Sequence, residues 1–289
     1  MNKNKKILSL FLILAICITS IVGCEQVDNF DKKNIAIGNE MIVHYIDVGQ
    51  GDSILISVNN KNLLIDAGPG SGEDKVVNYL NENNIKKLDY IIATHPHEDH
   101  IGGMDKVIEN FEVGEFYSPK VATNTKTFKN MIGELNKKHL KINILTEGMG
   151  EEFNLGEGTE VEIYTPMNNS YDDLNNYSPI MKVSYENTSF LFTGDAEAKA
   201  ELEAISNSAN LKADVLKVGH HGSSSSTTDE FLKRVDPQVG VISVGADNKY
   251  NHPTKKTINK LNDKNIKIYR TDIDGTVTIK SNGESIILK

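Results

Sequence analysis

The stretch IIATHPHEDHIGG, residues 91–103, limits what this chain can fold into more than any other. It closes an apolar, β-branched run, LDYIIAT, which reads as a buried strand ending at Thr94. Three histidines and two acids follow within six positions, in a chain with only 8 histidines in 289 residues. The cluster therefore sits on the loop at a strand end, where open α/β folds place ligands. Gly102-Gly103 lets the backbone turn closely as a helix begins. His95 and His97 are two apart, so an extended loop can aim both at one metal. Asp99 and His100 are adjacent, point differently and suit a second. Imidazole with carboxylate favours zinc, iron or manganese over calcium. A helical zincin pair does not fit, because Pro96 breaks a helix there. A plain polar loop is the poorer explanation of so many ligand-type side chains.

The N-terminus carries a different signal. MNKNKK is basic, and ILSLFLILAICI is apolar but short for a membrane span. It ends in Ile21-Val22-Gly23-Cys24, which resembles a bacterial lipobox. Residues 1–24 are expected to be a lipoprotein signal peptide with Cys24 lipidated, and residues 25–40 a flexible tether. Cys17 lies within the leader, so no free thiol is left for a mechanism. The formal charge is −9. Losing Lys3, Lys5 and Lys6 makes the remainder more acidic still. That excess argues against tight nonspecific binding to DNA or an anionic membrane.

From Met41 the strand-like runs MIVHYIDV, SILISV and KNLLID predict an opening β-meander. Helical periods fall at 72–83, 103–109, 125–138, 197–206, 227–235 and 254–264. Strands are predicted at 88–93, 113–117, 141–146, 160–165, 180–185, 188–193, 213–218, 238–243, 266–270, 275–280 and 284–288. This mixture predicts one α/β (α+β) domain over 41–289, two mixed sheets with helices outside. Asp47 and Asp52 flank Gly49-Gln50-Gly51, which reads as hairpin-turn glycines. DIDGT, 272–276, reads as a hairpin turn rather than a calcium loop. His44 and His139 read as structural.

His-x-His-x-Asp-His after an apolar strand resembles the signature of the metallo-β-lactamase superfamily. HYIDVGQGDSILI, LLIDAGPG, FLFTGDAE, LKVGHHGSSSS, SVGADNKYNHP and YRTDIDGTVTI, in that order, resemble the soluble hydrolase domain of ComEC-type DNA-uptake proteins. The resemblance spans about residues 41–289. It implies a four-layer αββα sandwich holding two divalent metals, zinc first, with manganese or iron as alternatives. It makes His95, His97, Asp99 and His100 ligands. Asp195, closing the strand NTSFLFTGD, becomes the carboxylate bridging both metals, with a helix N-cap as the plainer role. Of His220 and His221, one completes the second metal's ligands; the other orients substrate or lies behind. Asp66 supports the metal-binding loop. Ser223 opens a Ser-rich run before a helix, a phosphate cradle or a flexible loop. His252 is expected to touch substrate or protonate a leaving group. Many members carry a further histidine between the first cluster and the bridging Asp. Here only His139 lies between, and Asn176 or Ser178 is expected to face the metal instead.

The resemblance implies a metal-activated water attacking a phosphodiester, nucleic acid included, with Asp99 orienting the nucleophile. The expected location is the outer face of the cell membrane, held by lipid on Cys24, and no protein partner is predicted. The alternatives are hydrolysis of a β-lactam or another ester, and a metal-stabilised lipoprotein that binds DNA or another ligand. The channel function of ComEC-type proteins is not implied, since the only long apolar segment is the leader.

Overall fold

A computed structural model describes residues 40–207 and 210–288. The expected leader, Cys24 and the tether up to residue 39 lie outside the described residues. Among those described, no helix is long and apolar enough to cross a membrane.

Strand pairing sorts the chain into two sheets. The first begins with β1 (Met41–Tyr45), β2 (Ile54–Val58), β3 (Lys61–Ile65), β4 (Lys87–Ile92), β5 (Glu112–Ser118) and β6 (Ile142–Ile144). The second holds β7 (Thr159–Ile163), β8 (Met181–Tyr185), β9 (Thr188–Phe192), β10 (Val215–Lys217), β11 (Val239–Ile242) and β12 (Lys267–Arg270). The chain then returns to the first sheet as β13 (Val277–Ser281) and β14 (Ile286–Leu288). The first sheet runs β14-β13-β1-β2-β3-β4-β5-β6 and the second β12-β11-β10-β9-β8-β7. Each sheet joins an antiparallel meander to a parallel set. The meanders are β1–β2–β3 and β7–β8–β9; pairing is parallel from β3 to β6 and from β9 to β12. Parallel neighbours need a crossover. The predicted helical periods supply most of them, as Glu73–Glu82, Ala198–Asn207, Asp229–Val235 and Lys255–Asp263 among others.

The period-2 alternation of strands builds the layers. In β2, Ile54 and Ile56 face the other sheet while Leu55 faces helices; in β3, Leu63 and Ile65 face inward and Leu64 outward. The inner core joins Val43, Tyr45 and Ile92 to Val183, Phe190 and Phe192. A second core packs Leu64 and Ile91 against Met104, Val107 and Leu135 of the helices. A third packs Leu191 and Leu216 against Phe231 and Leu261. Three apolar interfaces separate four layers, helix–sheet–sheet–helix, the expected αββα sandwich. His44 is buried on the helix side of β1, its Nδ1 2.8 Å from Tyr79 Oη, in keeping with a structural role.

Two local expectations are corrected. Residues 271–276 are not a hairpin turn, because β12 and β13 lie in different sheets. Thr271–Asp274 is a helical turn that carries the chain between them. Thr271 Oγ1 anchors it, donating to the Val244 carbonyl at 2.9 Å and accepting from Val244 N at 2.8 Å. Gly275 (φ +68) gave a turn signal whose strand partner is remote in sequence. The metal-type cluster, read as a loop, is loop only to His97; Glu98–Ile101 form a helical turn.

Candidate metal centre

The site is assembled from strand ends. Asp66 follows β3, His95 and His97 follow β4, Asp195 follows β9, and His220 and His221 follow β10. After β4 the chain stays extended through His97 (φ −77, ψ 151) and then coils for one turn. That change of course lets neighbouring side chains reach different points. Gly51 makes room for it: at φ +147 it lies so close that a Cβ would overlap the Asp99 carbonyl oxygen.

Asp195 Oδ2 is the focus. His100 Nε2 lies 3.2 Å from it, His221 Nε2 3.5 Å, His220 Nε2 3.6 Å and His95 Nε2 3.9 Å. Asp99 Oδ2 is 3.3 Å from His221 Nε2. Asp99, His100, Asp195 and His221 each offer one atom, all within 4.8 Å of one another. His95 and His97 form a second pair, their Nε2 and Nδ1 3.0 Å apart.

Hydrogen bonding from behind aims these rings. His100 Nδ1 donates to Asp66 Oδ2 at 2.7 Å, and Asp66 also accepts from Thr94 N at 2.8 Å and Thr94 Oγ1 at 2.7 Å. His221 Nδ1 donates to the Ser243 carbonyl at 2.9 Å. His95 Nδ1 lies 3.0 Å from Thr94 Oγ1 and 3.2 Å from Ser178 Oγ. On the inner side, His100 Nε2, His221 Nε2 and Asp195 Oδ1 are buried without a hydrogen-bond partner. Unpaired buried polar atoms are rare and cost about 1–3 kcal/mol each. Cations would satisfy all three, and imidazole with carboxylate is a donor set for zinc, iron or manganese. The residues fit a dinuclear centre, with Asp195 between the two groups.

The electrostatics point the same way. Burial lowers the His95 pKa well below its ordinary value, and His100 adds to this. Burial also opposes charge on His100 and His221, but Asp195 and the other adjacent carboxylates outweigh it and hold both well above the ordinary value. Burial would raise Asp195, yet His221 and His100 hold it well below the carboxylate range. Without cations the cluster must retain protons; a bound metal takes their place and releases them.

Other expected residues are placed as follows. His220 and His221 both sit in the left-handed region (φ 48 and 52), a strain of about 1–3 kcal/mol each for non-glycine residues. His221 is in the compact group. His220 is 23% exposed, with Nδ1 3.4 Å from Glu197 Oε1. Asn176 does not face the centre: its Oδ1 caps a helix, accepting from Glu197 N at 3.2 Å and Ala200 N at 3.3 Å. Ser178 faces His95 from behind and accepts from Asp195 N at 3.1 Å. Ser223 bonds within its own loop, to Ser225 Oγ at 2.9 Å. The helix after it offers no phosphate cradle, because Glu201 accepts from Thr227 N and Thr228 N. His252 stands at the rim, and burial with the charges of His220 and His221 lowers its pKa.

Two residues went unrecognised. Lys217 is fully buried in β10, its Nζ 2.8 Å from Asp52 Oδ2. Asp52 Oδ1 lies 3.4 Å from His221 Nδ1. Burial would raise Asp52, but Lys217 and then His221 hold it at about 2. The available signal was a lysine inside the apolar strand ADVLKVG, where solvent is not near.

A cavity of about 860 Å3 opens onto the cluster. Val48, Pro69 and Tyr250 give it apolar surface, Gln50, Asn175 and Asn248 amides, and Lys75 and Lys249 positive charge.

An αββα sandwich with a buried His/Asp cluster at its strand ends defines a metal-dependent hydrolase. The sequence pattern of the Metallo-beta-lactamase superfamily matches residues 46–246, and the chain belongs to that superfamily. It is related to ComE operon protein 3 of Bacillus subtilis (strain 168), 30% identical over 264 residues, covering 83% of this chain and 33% of that protein. Recombination protein 2 of Haemophilus influenzae is 32% identical over 242 residues, covering 82% and 28%. The chain thus spans a third or less of these relatives' length. Among solved structures, the metallo-beta-lactamase fold protein YhfI from Bacillus subtilis superposes with a TM-score of 0.52 at 11% identity, over 80% of this chain and 96% of that one. CmlA, a diiron beta-hydroxylase from Streptomyces venezuelae, gives 0.54 at 13% identity, over 88% and 55%. These two likenesses speak to the fold alone.

Proposed function

We propose that this chain is a phosphodiesterase working with two divalent metals, zinc foremost, at the outer face of the cell membrane. The observation that carries the reading is the pair Lys75 and Lys249 on the walls of the cavity. Neither forms an ion pair with an acid among the described residues, in a chain whose formal charge is −9. Ammonium groups without an acidic partner beside such a centre suit an anionic substrate. Metals held there would supply an activated water near neutral pH and offset charge on a phosphoryl group. Burial would raise Asp99, but His221, 3.3 Å away, and the charge of His100 hold it well below the ordinary carboxylate range. It stays ionised and can orient a nucleophile by accepting its proton in a hydrogen bond. His252 lines the cavity and can meet the substrate there. A relative bearing the name of a recombination protein supports a nucleic acid strand as the natural phosphodiester.

The test is turnover of bis-p-nitrophenyl phosphate and of an oligonucleotide by metal-loaded protein lacking the leader. We expect turnover of both, lost in His97→Ala while the circular dichroism spectrum is kept. Protein that binds two metals yet cleaves no phosphodiester would refute the reading, and faster turnover of a β-lactam would replace it. The lipobox-like Cys24 supports the location. Cys24→Ser is expected to release the protein from membranes, and retention there would overturn the anchor.

A further inference from the structure

Tyr250 is 51% exposed and lines the cavity above the cluster. Its exposure is built in. Asn248 Oδ1 accepts from Tyr250 N at 3.2 Å and His252 N at 3.0 Å, while its Nδ2 donates to the Gly245 and His252 carbonyls at 2.9 and 2.6 Å. One side-chain amide thus fixes the loop that presents the ring. His252 stacks on Tyr250 with centroids 5.8 Å apart and planes 22° apart. His252 in turn meets His220 edge-on at 5.7 Å, and His220 reaches Asp195. A line of rings therefore leads from the centre to a half-exposed aromatic ring. Lys249 Nζ lies 5.0 Å from the Tyr250 ring centre.

We propose that Tyr250, supported by His252, is the floor of a subsite on which a nucleobase next to the scissile phosphate stacks. The subsite rests on the phosphodiesterase reading and adds what the substrate must carry beside its phosphate. A base has a flat π-face that an aromatic side chain receives whatever the sequence. The lysine over the ring does not close the subsite. An exposed cation–π contact is weaker than base stacking. The flexible ammonium can yield the ring and remain beside the strand's phosphates.

The experiment compares a short thymidine oligomer with an abasic phosphodiester oligomer of equal length, using the metal-loaded protein. In the wild type we expect KM for the abasic oligomer to be about tenfold higher, the size of one base–aromatic contact. The ratio is expected to fall toward one in Tyr250→Ala and to return in Tyr250→Trp. A ratio equally large in Tyr250→Ala, or no ratio in the wild type, overturns the subsite and leaves the phosphodiesterase reading standing. Binding of uncleavable methylphosphonate-flanked versions, followed by fluorescence anisotropy, separates the two ideas. Base-dependent binding that needs Tyr250, without cleavage, supports the subsite and sinks the phosphodiesterase. Base-independent binding overturns the subsite whatever the turnover.

Discussion

Replacing Lys217 by methionine should cost this protein more than its distance from the centre suggests. The pair Lys217–Asp52 is 2.8 Å apart, with side chains 0% and 1% exposed. Methionine fills most of the lysine's volume, so little cavity forms. What remains is a buried carboxylate without its cation, and breaking such a pair typically costs about 3–5 kcal/mol. For a domain of this size each kcal/mol moves the melting temperature by about 2–4 °C, so a fall of roughly 6–20 °C is expected. The Asp52 pKa should rise, because burial then acts with less opposition. Since Asp52 stands against His221 Nδ1, metal affinity at the compact group should drop roughly 10- to 100-fold. Scanning calorimetry of the metal-free protein and titration calorimetry with zinc measure the two effects. The double variant Lys217→Met/Asp52→Asn leaves no charge at this pair and should recover most of the stability but not the affinity. If Lys217→Met melts within about 2 °C of the wild type and binds zinc as tightly, the reasoning fails.

Three further outcomes can be checked. The folded pKa of Asp52, about 2, lies below its ordinary 3.8. Its contribution to the stability of the metal-free protein is therefore complete above about pH 4 and is lost as pH falls through about 2. Acid titration of the melting temperature should be shallower in Asp52→Asn. Asp195→Ala should abolish binding of both metals, whereas His97→Ala should spare the compact group; metal analysis after dialysis distinguishes them, and equal loss in both would refute the two-group arrangement. Gly51→Ala should displace the Asp99 turn and lower kcat about tenfold or more, with far-ultraviolet dichroism kept; unchanged turnover would mean that the loop yields at no cost.

What could be read in the sequence is what lies close together along it. The strand and helix periods of 41–289 carried the sandwich, because alternation in runs such as SILISV already separates the face toward the other sheet from the face toward the helices. His95, His97, Asp99 and His100 were legible as ligand-type residues because one short loop holds them. The misses are contacts between distant segments. Asp52 looked like turn chemistry because its partners, Lys217 and His221, lie on a strand end of the other sheet. Asn176 and Ser178 could not be told apart, since only packing decides which one turns toward His95 and which caps a helix. Glu201 read as one more acid on an amphipathic helix, yet it receives the N–H groups that were expected to cradle phosphate. DIDGT had the local chemistry of a hairpin and lacked only a neighbouring strand to pair with.

The origin of the ligand-type residues has a consequence for folding. His95 to His100 belong to the first sheet, Asp195 and His221 to the second. Cations gripped by both would act as a clasp across the seam of the sandwich, closing a long loop of chain as a disulfide does. The chain's 2 cysteines, Cys17 and Cys24, both lie near its N-terminus, so no covalent cross-link can do this within the sandwich. Such a clasp opens with a chelator or with acid and closes again without an oxidant.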